Sequence, residues 1–559
     1  MRPLVARAYL LGVTSAGPPI VNRPMTSHDP LAGGWSAGAP PEAPGTWAGA
    51  PHYAATPLLV EPLPARWAAQ ILLVSVLGGV VAQLLFVAQR PGINLLLWVA
   101  LALLATWRLR RPAARLDRAD LWLVPAALSF AAFVALRDDI ALRVFDIPAA
   151  GALTLAAAVA LGGHAVSRQG HAALAWLAGA AVALAVTGAV RLGAGFSPLA
   201  ARLAREARSV RVARGLLVAT PLVLVFAALF AAADAVFAAH LEAAFGLDLD
   251  VGDLLYRALF AAAVAWLFAG TLVCAWLTAR AADSTQAGTF RPVYRPLGTI
   301  EATVVLFALV FVFGFFVLVQ AAYLLGGLDT LTVSGLTYSE YARRGFFELM
   351  VAALLAGGVL LAIDRLVAQR KWVYRALAVA LTALTGVVLI SAVYRLGLYQ
   401  QAYGWTELRF YALAAIVWLG LGIVATAGTL LIDRASVVPR VLLGAALAVA
   451  LVVNLVGPQA FVTAQNLQRA IDPSLVPVGG RSGVDFHYLG YLGDDSIPVL
   501  VNALPQLTET DRRDAEYLLR ERAALLALEA RDLGWPSWNL ARQRAIEALM
   551  ASGYLVAGE

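Results

Sequence analysis

Ile300-Glu-Ala-Thr-Val-Val-Leu-Phe-Ala-Leu-Val-Phe-Val-Phe-Gly-Phe-Phe-Val-Leu-Val-Gln-Ala-Ala-Tyr-Leu324 is the stretch that decides the fold class. Its only charge, Glu301, sits at one end. A helix needs about 20 apolar residues to cross the hydrocarbon core of a bilayer, so this run reads as a membrane span. Similar runs precede it at Trp67–Ala88, Gly92–Trp107, Leu121–Leu136, Ala141–Val166, Ala172–Val190, Leu216–Ala239 and Leu254–Ala279. Others follow at Phe346–Leu366, Val373–Tyr394, Phe410–Ile432 and Val441–Val456, giving about 12 spans within a range of 11 to 13. The second and third runs are short and read as tilted or partly re-entrant.

Composition agrees. Hydrophobic residues make up 61% of the chain and charged residues 14%, against about 25% charged in soluble domains. The fold class expected is all-α: a polytopic transmembrane bundle over residues 66–457, with a small soluble helical domain over 458–559. Residues 1–65, rich in Ala, Pro and Gly, hold too few large aliphatics to offset ordering entropy and read as disordered. A formal charge of +7 invites a nucleic-acid reading. The arginines instead sit in short connections between apolar runs, as the positive-inside rule expects, so nucleic acid is excluded as a partner and the lipid bilayer is implied. Cys274 is the single cysteine, which rules out an intrachain disulfide and a thiolate metal site.

The connections Arg191–Gly215, Arg280–Gly298, Arg365–Lys371 and Arg434–Arg440 are basic and are placed in the cytoplasm. Glu242–Asp253, Thr337–Gly345, Arg395–Arg409 and everything after Pro458 then fall outside it. Arg108–Arg118, also basic, lands on that outer side in a strict 12-span count, a conflict within the first half of the chain. In the tail, Pro458–Ile471, Ser496–Leu504, Asp511–Ala530 and Asn539–Ala551 read as helices, with Thr510 and Ser537 or Asn539 as N-caps. The stretch from Asp494-Asp495 to Leu504 is similar to one helix of a helical-hairpin repeat, and a single copy makes no solenoid.

The densest polar stretch is Thr337-Tyr-Ser-Glu-Tyr-Ala-Arg-Arg-Gly-Phe-Phe-Glu-Leu349. Thr337 and Glu340 have capping-box spacing, so a helix is expected to start there. Glu340, Arg344 and Glu348 then line one face as an acid-base-acid ladder, with Tyr341 beside it. Such a ladder serves either as an interfacial anchor or as a ligand contact. Tyr338-Ser-Glu-Tyr-Ala-Arg-Arg-Gly-Phe-Phe-Glu-Leu349 resembles the signature of a family of uncharacterised bacterial multi-pass inner-membrane proteins, a domain of unknown function. Gln320-Ala-Ala-Tyr-Leu-Leu-Gly-Gly327, Ile390-Ser-Ala-Val-Tyr-Arg-Leu-Gly-Leu-Tyr399, Tyr403-Gly-Trp-Thr-Glu-Leu-Arg409, Asn466-Leu-Gln-Arg469 and Trp535-Pro-Ser-Trp-Asn539 extend the likeness, which spans about Arg214 to Ala551. The resemblance implies fold class and a bacterial inner-membrane location, and no activity. Where the family pattern reads Ala-Asp-Pro-Val-Phe this chain has Ala233-Asp234-Ala235-Val236-Phe237, so a proline-induced helix break is not expected there.

Thr337 to Arg365 and Thr406 to Arg434 have the same length of 29 residues, each opening on Thr and closing on Ile-Asp-Arg. At about 1.5 Å per residue that is about 43 Å, a bilayer with its headgroups. This reads either as a two-helix repeat or as chance similarity between spans. Gly420-Leu-Gly422 lies mid-span with no preceding strand and reads as close helix packing. No P-loop, paired-histidine zinc motif or nucleophile elbow is present, so neither an enzyme nor a cofactor is implied; His164 and His171 read as loop histidines.

Lipid penalises ionisable groups, which singles out Asp234, Glu301, Glu348, Arg395, Glu407 and Arg409. Glu348, Arg395, Glu407 and Arg409, with Tyr338, Glu340, Tyr341, Arg343, Arg344 and Tyr399, form the candidate polar cluster or ligand-binding set, while Asp234 and Glu301 are separate intramembrane charges. One functional class is transporter-like, with Arg343, Arg344, Arg395 and Arg409 drawing a small anionic ligand into an outer vestibule. The other is a membrane-anchored interaction or sensor protein whose tail binds an envelope partner. The alternative to a functional role is that Glu348 with Arg344, and Glu407 with a nearby arginine, pair to hold helices in register.

Overall fold

Eleven of the twelve apolar runs fall on long helices: α1 (Ala65–Phe86), α2 (Ile93–Leu109), α3 (Leu123–Leu136), α4 (Ile140–Leu161), α5 (His171–Gly195), α6 (Val251–Cys274), α7 (Thr299–Leu325), α8 (Phe346–Leu366), α9 (Trp372–Tyr403), α10 (Glu407–Leu431) and α11 (Val438–Val456). The computed structural model describes residues 63–110, 112, 114–168, 171–195, 251–276, 298–325, 346–367, 371–431, 437–478 and 480–555. The run Leu216–Ala239 lies outside them. Among the described residues every helix and turn element is helical, and nine helices are long and apolar enough to cross a membrane. Ile93–Leu109 and Ala178–Val190 are shorter apolar helices. The short third run is extended by a 3-10 turn at Arg118–Asp120 into a candidate span, Arg118–Leu136.

The first six helices share one core, in which Ile71, Phe130, Leu184 and Leu272 are almost wholly buried. Small residues let their backbones approach: a side chain at Gly79 would meet the Ala261 carbonyl of α6, and one at Gly270 the Ala185 carbonyl of α5. α7, α8 and α10 pack around α9, with α7 and α8 against Leu381 and Tyr374 and α10 against Leu389 and Leu396, while α11 packs on α10 and reaches the first core through Leu447 and Ala450. The apolar side chains left exposed on α7, such as Phe307, Phe311 and Phe315, form the face expected to meet lipid.

The contacts fix helix directions. Trp67 of α1 lies against Trp276 at the end of α6, and Trp276 also bonds the carbonyl of Leu109 at the end of α2. A side chain at Gly162, after α4, would meet Ala275. These ends define one face, and the connection Arg108–Arg118 belongs to it. The opposite face carries the ends of α1, α3, α9 and α11, to which the tail is bonded. Arg365–Lys371 and Arg434–Arg440, at the far ends of α9 and α11, share the first face with Arg108–Arg118. The 12-span count put Arg108–Arg118 on the tail side, and the structure corrects this. Ala185 and Val186 of α5 lie against Gly270 and Trp266 of α6, which makes the two antiparallel. The carboxyl end of α5 and the amino end of α6 therefore both lie on the tail side; the run Leu216–Ala239 expected between them lies outside the described residues. Arg191, expected at the start of a cytoplasmic connection, sits at that tail-side end of α5.

The tail comprises α12 (Pro458–Ile471), α13 (Phe486–Gly490), α14 (Ile497–Ala503), α15 (Glu509–Asp532) and α16 (Leu540–Ala551). Four match the expected helices to within about two residues; α13 was not expected. Thr508, rather than Thr510, caps α15 by accepting from the Asp511 N–H, and Asn539 caps α16 as expected. Val462, Leu467, Ile497, Leu500, Leu519 and Leu549 form the tail's apolar core, and Trp405 and Phe410 from the α9–α10 turn pack against it.

Candidate functional site

Three turns of the membrane bundle meet the tail: α1–α2 at Gln89–Gly92, α3–α4 at Arg137–Asp139 and α9–α10 at Gly404–Thr406. Each is held by tail side chains. Gln89 Oε1 accepts from the Gly534 N–H at 3.0 Å and the Ser537 hydroxyl at 2.8 Å. Asn539 donates to the carbonyls of Val134 and Arg137 at 3.0 and 2.9 Å. Asn466 accepts from the Trp405 N–H at 2.8 Å and donates to the Trp405 carbonyl at 2.9 Å. Arg469 caps the end of α9 by donating to the carbonyls of Gln400 and Ala402 at 3.0 and 3.3 Å.

Arg137 is the centre of this lock. Its guanidinium donates to the Asn454 carbonyl at 2.8 Å, the Leu455 carbonyl at 3.0 Å and Asp495 Oδ1 at 3.0 Å. It thereby ties α3 to the end of α11 and to the tail. Gly457, at φ +72°, makes the turn from α11 into α12 directly beneath that guanidinium. Burial raises the Asp495 carboxyl above its ordinary range, opposed by Arg137.

Behind Arg137 lies a charged cluster around Asp494, which has no solvent exposure. Asp494 accepts from Arg522 at 2.7 Å, and Arg542 stands 3.8 Å away. Glu529 pairs with Arg90 at 2.9 Å and reaches Arg522 and Arg542 at 3.6 and 3.8 Å. Asp138, paired with Arg143, bears electrostatically on Asp494. Two adjacent carboxyls hold one proton more readily than none. Burial, then Asp138, pushes Asp494 up to about 6, whereas Asp138, which burial alone would raise, is held below its ordinary value chiefly by Arg143.

On the membrane side of the lock lie three acids with no cation within ion-pair reach among the described residues. Asp139 caps α4, accepting from the N–H groups of Ala141 and Leu142 at 2.8 and 3.2 Å and from the Tyr411 hydroxyl at 2.8 Å. Asp146, two turns into α4 and 1% exposed, accepts from Asn454 Nδ2 at 3.0 Å. Glu407, at the start of α10, accepts from Gln459 at 3.0 Å, and its N–H donates to the Tyr488 hydroxyl at 2.8 Å. All partners are neutral.

Of the residues singled out from the sequence, Tyr338, Glu340, Tyr341, Arg343, Arg344 and Asp234 lie outside the described residues, and so do the Thr337 start of the proposed repeat and its closing Ile432-Asp433-Arg434. Glu301 and Glu348 are exposed in the first turns of α7 and α8. Tyr399, Glu407 and Arg409 come together at the α9–α10 turn. Arg409 stacks on Tyr399 at 4.0 Å and donates to the carbonyls of Gly404 and Tyr403. Arg395 is half-buried on the last turns of α9. Gly422 admits the Leu442 side chain of α11, as expected for close packing, while Gly420 faces open space. Sequence reasoning passed over Asp139, Asp146, Asn454 and Asp494. The signal for Asp146 was present: an acid inside the run Ala141–Val166 is as anomalous as those that were singled out.

Residues 123–503, well over half of the chain, match the model of the Domain of unknown function (DUF4153). The chain belongs to this family. No curated protein and no solved structure matches it. The DUF4153 match spans α3 to α14, and so includes both sides of the Arg137 lock and all three uncompensated acids. The apolar helices and the family together make this an integral membrane protein.

A cavity within the bundle is of another kind. About 150 Å³ in volume, it lies among α8, α9, α10 and α11 and is lined by Ala, Leu and Gly with Trp418, Thr382, Thr385 and Thr426. The three threonine hydroxyls turn back onto carbonyls of their own helices at 2.7 to 2.8 Å, so the lining is apolar.

Proposed function

We propose that this DUF4153 protein is a membrane-anchored sensor or interaction protein of the bacterial inner membrane, with the tail as a soluble helical domain on the extracytoplasmic face. The observation that carries the reading is the lock: tail side chains bond three separate turns of the bundle and cover its polar end. A transport vestibule in that position would need open polar space, and the described cavity in the bundle is apolar. The outer face of α15 leaves Tyr517, Leu525 and Leu528 exposed along one side, flanked by the Arg520–Glu516 and Arg513–Glu509 pairs. That surface fits an envelope protein partner. Basic connections on the face opposite the tail support the orientation.

A transporter-like role with an outward anion site is the second reading, supported by the arginines gathered at the α9–α10 turn. The uncompensated acids beside them weaken it, since Asp139, Asp146 and Glu407 repel an anion. Reporter enzymes active only in the periplasm or only in the cytoplasm, fused after Leu555, test the orientation. A photo-crosslinking residue at Tyr517 tests the surface. Periplasmic activity and one discrete adduct at Tyr517, lost when Arg137 is replaced, are expected; cytoplasmic activity overturns the proposal.

A further inference from the structure

Asn454 carries an unanswered hydrogen-bond acceptor at a place where only one donor is at hand. Its side chain is wholly buried at the end of α11. Both amide N–H groups are used, one donating to Asp146 Oδ1 at 3.0 Å and the other to the Ala450 carbonyl at 3.0 Å. This settles which atom is nitrogen and which is oxygen. Oδ1 is left buried without a partner among the described residues, a state that is unfavourable because the oxygen has given up water for nothing. Asp146 is itself buried, and among the described residues no cation pairs with it.

Two defects therefore sit side by side: a carboxyl with no countercharge and an amide oxygen with no donor. One proton removes both. A carboxylic acid and a primary amide form a cyclic pair, the amide N–H donating to one carboxyl oxygen and the carboxyl O–H donating to the amide oxygen. The first of those bonds is in place. We propose that Asp146 and Asn454 form a proton-binding site in which Asp146 holds its proton at neutral pH.

The surroundings favour the neutral acid. The titratable groups of the packed elements that bear on Asp146 are Asp139 at the start of α4 and Tyr411 and Glu407 on α10. Two are carboxylates whose charge opposes ionisation of a third, and Tyr411 spends its hydroxyl proton on Asp139. α3 contributes no ionisable side chain, and α11 and α12 face the site with the neutral amides Asn454 and Gln459. Arg143, one turn before Asp146 on α4, is committed to Asp138, and Arg137 to Asp495.

Loss of the proton would place a third negative charge at the α4–α11 contact. Asn454 and Leu455, whose carbonyls Arg137 holds, would move with that contact. The site thus gives the sensor reading its ligand, the proton of the tail-side compartment. That link rests on the proposed function, whereas the site itself does not.

The test is infrared difference spectroscopy of the full chain in lipid nanodiscs, titrated from acid to alkaline pH, on the wild type and Asp146→Asn, Asp139→Asn and Glu407→Gln. A protonated-carboxyl band present at pH 7, lost in Asp146→Asn alone and shifted in frequency by Asn454→Leu, is expected. The same band in Asp146→Asn, its loss in Glu407→Gln instead, or no shift with Asn454→Leu overturns the proposal. A titration midpoint that moves when choline chloride is exchanged for sodium chloride identifies a metal cation at the site and overturns it too. Amide exchange of the tail in the same samples separates the two ideas: a titrating band with pH-independent tail protection removes the sensor reading and leaves the proton site standing.

Discussion

Replacing Arg137 by alanine should release the tail from the bundle without unfolding either. The side chain makes three charge-assisted hydrogen bonds, to Asp495, the Asn454 carbonyl and the Leu455 carbonyl, and is only 19% exposed. Its removal leaves the Asp495 carboxylate, 9% exposed, with the Asp138 N–H at 3.1 Å as its remaining partner. Breaking a buried pair from one side costs about 3 to 5 kcal/mol. If tail opening is the local event, that is a loss of roughly two to three and a half orders of magnitude in amide protection. Hydrogen exchange read by mass spectrometry should show it over α14, α16 and the start of α12, with the middles of α3 and α4 unchanged. Asp495→Asn in the same background should recover part of the loss, because the uncompensated charge is then gone; a coupling of about 0.5 to 3 kcal/mol is the range for touching residues. Arg513→Ala, which removes an exposed pair with Glu509, is the control and should cost about 0 to 1 kcal/mol. Equal exchange in Arg137→Ala and Arg513→Ala would refute the lock.

Asp494, pushed up to about 6, binds its proton more tightly folded than unfolded. Stability of the tail should therefore fall as pH rises from about 4 to about 6. Asp138, held below its ordinary value, acts only at more acid pH, so Asp494→Asn should flatten the pH 4–6 slope of the melting temperature; a slope that survives it assigns the titration elsewhere. Gly457→Ala should lower the melting temperature, since φ +72° costs a side-chain-bearing residue about 1 to 2 kcal/mol and the new Cβ would also fall within 2.6 Å of Arg137. An unchanged melting temperature there means the α11–α12 turn relaxes.

The parts of this fold that were legible in the sequence are those set by one-dimensional chemistry. Apolar length fixes a span whatever it packs against, which is why the runs and the helices α1 to α11 coincide. Asn539 was legible as a cap because capping is local. Direction was legible in the second half, where each crossing is followed by a charged connection. In the first half the basic connection Arg108–Arg118 conflicts with the 12-span count, and Leu216–Ala239, on which that count depends, lies outside the described residues. The candidate site was half legible. Glu407, Tyr399 and Arg409 stand out because they interrupt apolar sequence at a turn. Asp139 does not, because its capping role matters only once Tyr411, far along the chain, reaches it. Asp494 and Asp495 stand out in the sequence only as the start of a hairpin-like helix, and it is the packing of the tail around Arg137, Asp138 and Arg522 that buries them.

The lock also explains why the same sequence segments carry the family resemblance on both sides of the membrane boundary. Asn466-Leu-Gln-Arg469 and Trp535-Pro-Ser-Trp-Asn539 lie in the tail, and Tyr403-Gly-Trp-Thr-Glu-Leu-Arg409 lies at a turn of the bundle. In the structure they meet: Asn466 brackets Trp405, Arg469 caps the helix ending at Tyr403, and Ser537 and Asn539 bond the α1–α2 and α3–α4 turns. A tail attached only by its covalent link would need none of these residues. Apart from the Ser537–Gln89 side-chain bond, these bonds satisfy backbone groups at turns and helix ends, and Ser537 also accepts from the Arg90 N–H, so the tail completes turns that the bundle cannot complete alone. Charge follows the same logic, since Arg137 and Arg90 of the bundle are answered by Asp495 and Glu529 of the tail. The three acids left without such an answer, Asp139, Asp146 and Glu407, have no ion pair among the described residues, and that is the reason to look for their counterpart in a ligand.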